Sequence, residues 1–479
     1  MAQDLAQSAV RDGSLSPARG LARFVHDMKL ADVPATVRER AKDLMLDAIG
    51  CALAANTYPF AARALAGGQA LGGSGRSTVI GRPERLPLRD AVLVNGVLLH
   101  GLDFDDSHLT AIIHPTVTCL PAALGVAEER GMSGEDMLAA YIAGMESAIR
   151  IGASVKGGFH HVGFHATGVI THFAAALVAG RLMGLAPDAL VSAQGIAAST
   201  AGAVQVFLEE GAWTKRLHPG WGTTAGITAA TLAANGFFGP SRPYEGRFGL
   251  FETHLQEHAA HADIAIITAG LGDDWELPRT SIKPYPVCHF IHGAAEAAIE
   301  IHKRLKPTAD DLAEVRVAIP GPTLPIVAEP VEIKTRPANE YDAKFSAQYV
   351  VATCLLKGRF GLADLSDAAM KDEHVLSLTR RIVCEADPAS GYPTFMSGGV
   401  SVRTTAGQTV EQHIPVNLGA GDRGLDRAGI ERKFFANAAL HVSRDAAERI
   451  RDRVLELDRI AAVDLAAALS IPASCSVHS

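Results

Sequence analysis

Residues 101–115 read GLDFDDSHLTAIIHP. Asp103, Asp105, Asp106, Ser107, His108 and His114 fall together here, between apolar flanks running from Ala91 to Leu99 and from Leu120 to Val126. Acid groups set between buried segments are expensive unless they are paired or used. If the stretch is helical, Asp103, Asp106 and Ser107 share one face. The bland alternative is an Asp-rich helix start, with His114 fixed in a turn by Pro115.

Outward from this stretch the pattern is helical. Toward the N-terminus, Leu21, Phe24, Val25 and Met28 form one stripe. Pro34 opens a second helix over residues 34–55, with Val37, Ala41, Leu44, Met45, Ala48, Ile49 and Leu53 at helical spacing. Residues 72–87 are glycine-rich and loop-like, with one strand-like piece from Thr78 to Ile80. Asp90 is placed to cap the helix that follows. Toward the C-terminus, Ser133 with Asp136 three residues on predicts a helix N-cap. Thr167–Met183, Asp188–Ser199 and Thr223–Asn235 are apolar nearly all round, as central helices of a large bundle are.

Composition changes after Gly270, where a stretch rich in proline and charge predicts a boundary. Beyond it, Ala313–Pro320, Arg380–Asp387, Gly399–Thr405 and residues 409–416 read as strands separated by helical segments. The pattern turns helical again from Asp426. The expected fold is mainly α: a large all-helical domain from residues 1–275 and 418–479, and a smaller α+β lid domain from 276–417.

The chain has 479 residues, 48% apolar and 20% charged, with a net charge of −8. A length of this order favours two domains over one. The acidic balance, with no lysine or arginine run, argues against a nucleic-acid partner. No apolar run reaches the ~18 residues of a membrane span. The first twenty residues lack the apolar core of a secretory signal. Six cysteines are scattered without a C-x-x-C pair, so neither a metal cluster nor a disulfide scaffold is expected, and a reducing cytoplasm is.

The motif Asn95-Gly96, His100, Leu102-Asp103-Phe104-Asp105-Asp106-Ser107 and His114-Pro115 resembles the MmgE/PrpD family. That resemblance implies reactions at a carbon next to a carboxylate, with no metal or organic cofactor. Dehydration of 2-methylcitrate, decarboxylation of cis-aconitate and epimerisation of iminodisuccinate are examples. It also implies that the last helical segment returns to the helical domain, and that the protein is a homodimer.

Three later stretches extend the resemblance. Phe164-His165-Ala166-Thr167-Gly168 matches a family motif that carries over His165. His161 and His165 are four apart, but Gly157, Gly158 and Gly163 predict a loop entering a helix near Thr167, not a helical metal site. Lys215, Arg216 and His218 make a cation cluster in an acidic chain. The family motif assigns an active-site role to the lysine; Arg216 reads as a solvated loop residue. Lys344-Phe345-Ser346 and Tyr349 match a third motif, with lysine where arginine is usual. Lys283, Cys288, His289 and His292 cluster at the expected hinge.

Moving a proton beside a carboxylate needs cations for the carboxylate and an acid/base pair. The catalytic candidates are Asp103, His114, His165, Lys215 and Tyr349. The substrate-binding candidates are Ser107, His218, Lys283 and Cys288. Asp103 is expected to orient one histidine or to be the base itself, its pKa raised by burial. The expected function is a cofactor-independent lyase, a hydro-lyase or carboxy-lyase, acting on a small di- or tricarboxylate. An epimerase of a substituted succinate is the second reading. A non-catalytic carboxylate-binding protein is the third, and the acid/base set argues against it.

Overall fold

The computed structural model describes residues 16–392 and 394–472. The signal reading of the N-terminus falls largely on residues 1–15, outside this range. In chain order the helices that frame the molecule are α1 (Pro17–Asp27), α2 (Ala35–Ala55), α3 (Pro59–Gly72), α4 (Leu88–His100), α5 (Thr116–Arg130), α6 (Gly134–Ser154), α7 (Ala166–Leu182), α8 (Pro187–Ala198) and α9 (Thr214–Ala234). A two-residue ladder, β1 (Ser77–Thr78) with β2 (Arg85–Leu86), stands where Thr78–Ile80 was expected as a strand.

Sequence dictates these elements directly. Ser133 accepts the Asp136 amide and starts α6 as a capping residue. Alanine and glycine let the helices approach closely. A Cβ on Gly96 would lie 2.4 Å from the Gly220 Cα, and one on Gly220 would lie 2.2 Å from the Leu93 carbonyl oxygen. Thus α4 and α9 touch backbone to backbone. Asp90 does not cap α4: Pro87 precedes the helix, and the Asp90 carboxylate pairs with Arg89 in the first turn. Helix α9 starts at Thr214, earlier than Thr223, and carries Pro219 inside it.

The second part of the chain adds α10 (His292–Leu305), β3 (Leu312–Ile319), α11 (Ala347–Lys357), β4 (Ile382–Ala386), β5 (Gly398–Thr404) and β6 (Thr409–Ile414). The sheet order is β4-β3-β5-β6; β3 and β4 run parallel and the other pairs antiparallel. Val315 lies between Ile382 and Val402 across the sheet. Val315, Val317 and Ile319 point inward while Arg316 is exposed, the alternation of a half-buried strand. The chain then returns through α12 (Arg427–Ala438) and α13 (Arg444–Leu455).

Hydrophobic side chains gather into two cores. One runs from Ala18 to Ile282 and resumes from Ile430 to Ile471. The other lies within Val287–Ile414. Among the described residues, no helix is long and apolar enough to cross a membrane.

Candidate active site

The 101–115 stretch is a loop, so the shared-face argument for Asp103, Asp106 and Ser107 does not apply. Asp103 itself has φ +52°, a left-handed conformation in which Asp is tolerated better than bulkier residues. Ser107 pairs with Ser281 through two backbone hydrogen bonds of 2.8 Å. Thr116, at the start of α5, donates to the Asp106 carboxylate. From the returning chain, Lys433 in α12 donates to the Phe104 carbonyl at 2.7 Å and sits 3.8 Å above its ring. Strand-like pairing, a helix start and a distant helix therefore hold one irregular loop.

Asp103 is the hub. Lys215 Nζ reaches its Oδ2 at 2.7 Å, from the first turn of α9. Lys283 Nζ reaches its Oδ1 and its carbonyl oxygen, each at 2.8 Å, from the segment joining the two cores. Burial alone would raise the Asp103 pKa, but the two ammonium groups outweigh it and hold the carboxyl well below the usual range. The expected raised pKa is thus reversed: Asp103 is an ion-pair partner, not a resting base.

Around this hub lie imidazoles. His114 Nδ1 faces the Asp106 carbonyl at 2.7 Å, the Asp105 carboxylate at 3.2 Å and the Ser107 hydroxyl at 3.3 Å. His165 stands at the entry to α7, its Nδ1 3.1 Å from His218 Nδ1. His100, the last residue of α4, stacks on His165 with ring centroids 5.6 Å apart. Its Nδ1 meets the Asp105 carboxylate at 2.9 Å. Burial, reinforced by the Lys215 charge, pushes His165 well below its ordinary value. Burial likewise pushes His100 and His218 down to about 4. Rings shifted in this direction rest in the neutral form at physiological pH.

His218, a substrate-binding candidate, stands against His165, and burial disfavours its cationic form. Tyr349 departs from its expected role: it lies in the second core, with its hydroxyl donating to the Asp364 carbonyl at 2.6 Å. Its hydroxyl is thereby committed to structure. Ser346 caps α11 by accepting the Tyr349 amide. Cys288 is buried at the junction of the cores, its amide donating to the Lys344 carbonyl at 2.9 Å. Burial pushes its thiol up to about 11, so it is a neutral thiol and a poor nucleophile.

Several site residues escaped the sequence reading of roles. Arg216 is no solvated loop cation. Its Nε donates to the Gly101 carbonyl at 2.7 Å and its guanidinium packs 4.4 Å from the Phe60 ring centroid. Lys344 crosses from the second core to donate to the Leu102 carbonyl at 2.6 Å. Tyr341 lines the same small pocket as His100, Asp103, Lys215, Arg216 and Lys344. His100 and Lys344 did stand in the quoted motifs. Arg216 and Tyr341 differ from ordinary surface residues only through their tertiary neighbours.

The N-terminal domain model of the MmgE/PrpD family matches residues 19–262, and the C-terminal domain model matches residues 285–459. A cis-aconitate decarboxylase-like protein of Aspergillus oryzae is 27% identical, over 92% of this chain and 95% of its own length. The cis-aconitate decarboxylase of Homo sapiens is also 27% identical, over 91% of each chain. A 2-methylcitrate dehydratase of Cupriavidus necator is 24% identical, over 73% of this chain and 74% of its own. Since the two family models together take in most of its length, this chain belongs to the MmgE/PrpD family.

Proposed function

We propose that this protein is a lyase that releases water or carbon dioxide from a small tricarboxylate of the 2-methylcitrate or cis-aconitate type. The observation that carries the reading is the meeting of Lys215 and Lys283 at Asp103, beside the neutral imidazole of His165. Relatives that align along most of the chain are named as cis-aconitate decarboxylases and 2-methylcitrate dehydratases.

In this reading a substrate carboxylate takes the lysine charges that Asp103 now holds, and Arg216 and Lys344 add positive potential at the same wall. In a dehydration, His165 removes the proton next to the carboxylate, the electron pair forms the double bond, and hydroxide leaves with a proton from His114. In a decarboxylation, the carbon–carboxylate bond breaks and its electron pair shifts through the alkene. His114, carrying a proton taken up from solvent, then delivers it to the far carbon. Both routes stabilise developing negative charge with fixed cations. Ser107, 3.3 Å from His114 Nδ1, orients that ring or a substrate oxygen.

The space enclosed by the pocket residues is about 10 Å³, on the order of one water. A tricarboxylate therefore enters only when the two cores separate, and the second core acts as the lid. We place the reaction in the cytoplasm and in a homodimer. Trp213, Trp221, Phe237 and Phe238, on and beside α9, are exposed apolar side chains suited to cover a second copy. Light scattering on the purified protein giving a monomer mass would remove the dimer.

Proton NMR of the purified enzyme in D2O with citrate, 2-methylcitrate and cis-aconitate tests the lyase. A new alkene signal identifies dehydration, and loss of a carboxylate with deuterium gained at carbon identifies decarboxylation. Absence of both, with these substrates and a folded protein, refutes the reading.

A further inference from the structure

Nitrogens of His100, His114 and His165, one from each ring, lie within 4.8 Å of one another. His100 is 1% exposed and His165 4%. His100 Nε2 is buried without a hydrogen-bond partner. One nitrogen of each ring is anchored: His100 Nδ1 by the Asp105 carboxylate, His114 Nδ1 by the Asp106 carbonyl, and His165 Nδ1 by His218. Metal-binding histidines are oriented this way, with one nitrogen held by a carboxylate, a carbonyl or another polar group and the other left to ligate.

We propose that these three imidazoles form a binding site for a divalent transition-metal ion of the zinc class, and that the bound ion inhibits the enzyme. Zinc takes imidazole nitrogen at about 2.0–2.1 Å in tetrahedral geometry, so small ring rotations must draw the three nitrogens together. Asp103 and Asp105 lie within 4.8 Å of a His114 nitrogen and of each other, and so supply compensating negative charge. Lys215 and Lys283 bring positive charge, but both are already paired with Asp103. Nitrogen ligands select zinc over magnesium or calcium, which prefer oxygen. The binding stands on geometry alone, whereas the inhibition rests on the acid/base role proposed above for His114 and His165.

The test uses the full-length protein freed of metal with EDTA. Zinc chloride and magnesium chloride are titrated by calorimetry, and cobalt(II) is followed by its visible absorption. The expected result is one zinc per chain at this site, no magnesium, and a tetrahedral cobalt spectrum. Affinity should fall at least tenfold in His100→Gln and His165→Gln, and about 10–100-fold in Asp105→Asn, which keeps all three rings. Circular dichroism checks that each variant folds. Zinc affinity unchanged across all three folded variants overturns the site, as does no binding. So does loss of binding in His258→Ala alone, since His161 and His258 stack 5.0 Å apart elsewhere in the molecule. Full turnover with zinc bound overturns the inhibitory role. Zinc binding in a protein with no lyase activity refutes the proposed reaction and leaves the metal site standing. Turnover without zinc binding does the opposite.

Discussion

Asp103 shows how much a single position depends on its tertiary setting. Its presence in an acidic motif between apolar flanks marked it as functional, but the sign of its pKa shift follows from Lys215 and Lys283, 112 and 180 residues away in sequence. No local pattern encodes that contact. Replacing Lys215 with Met should lower kcat/KM by about 10–100-fold, given ~1.5–3 kcal/mol for a hydrogen bond to a charged group. It should also move the acid limb of the kcat/KM profile to higher pH. The ammonium disfavours imidazolium at His165 and His100, so its removal lets both pKa values rise. A limb that stays in place would separate Lys215 from the acid/base set. Tyr349 gives the opposite lesson. Its motif position suggested catalysis, whereas its hydroxyl bonds to the Asp364 carbonyl inside the second core. Tyr349→Phe should leave kcat nearly unchanged and lower stability in urea by about 1 kcal/mol.

At the scale of elements, periodicity located most helices and every strand of the larger sheet, because amphipathic spacing and alternation are local properties. The misses also have local causes. Pro219 and its neighbouring glycines hid the first turns of α9, which carry Lys215 and His218. The 101–115 stretch gave no means to tell a capped helix from a loop pinned by Ser281, Thr116 and Lys433. The α4–α9 contact is where an element decides the site, since Gly96 and Gly220 let the end of α4 bring His100 beside Lys215. Gly96→Ala must force the two backbones apart. It should destabilise the protein by about 1–3 kcal/mol. It should also lower kcat/KM further than Val315→Ala, which opens space in the other core and leaves the α4–α9 contact intact. Equal activity in the two variants would uncouple the helix contact from the site.

Across the whole molecule, buried neutral imidazoles set the response to acid. His100, His160 and His218 are each pushed to about 4 from an ordinary 6.5 by burial first. As pH falls through 6.5 the unfolded chain takes up protons that the folded chain refuses, so stability drops until about pH 4 and then levels off for these groups. Asp106, pushed to about 8 by burial, acts in the opposite sense, since the folded state keeps a proton that the unfolded state loses above 3.8. More histidines than carboxyls are shifted in this way. The urea midpoint should therefore be lower at pH 5 than at pH 7, and a higher midpoint at pH 5 would show that Asp106 dominates. Two cores were legible from the change in composition after Gly270. Which charges cross between them was not, because neither the hinge position of Lys283 nor the motif position of Lys344 says which group each reaches once the chain folds.

The path of the chain between those cores has one more consequence. It leaves the helical core just after Ser281 and comes back at Gly419, and the Ser281 hydroxyl donates to the Gly419 carbonyl at 2.6 Å. Exit and re-entry are thus neighbours, as at the base of a cartridge seated in a socket. A short turn could join the two points without disturbing α12 where it braces the 101–115 loop. One insert could therefore be exchanged for another while the histidines and Lys215 stay in the socket, and the cations of the insert would reset which carboxylates are accepted. Grafting between relatives at this seam offers a way to change substrate without rebuilding the proton-transfer machinery.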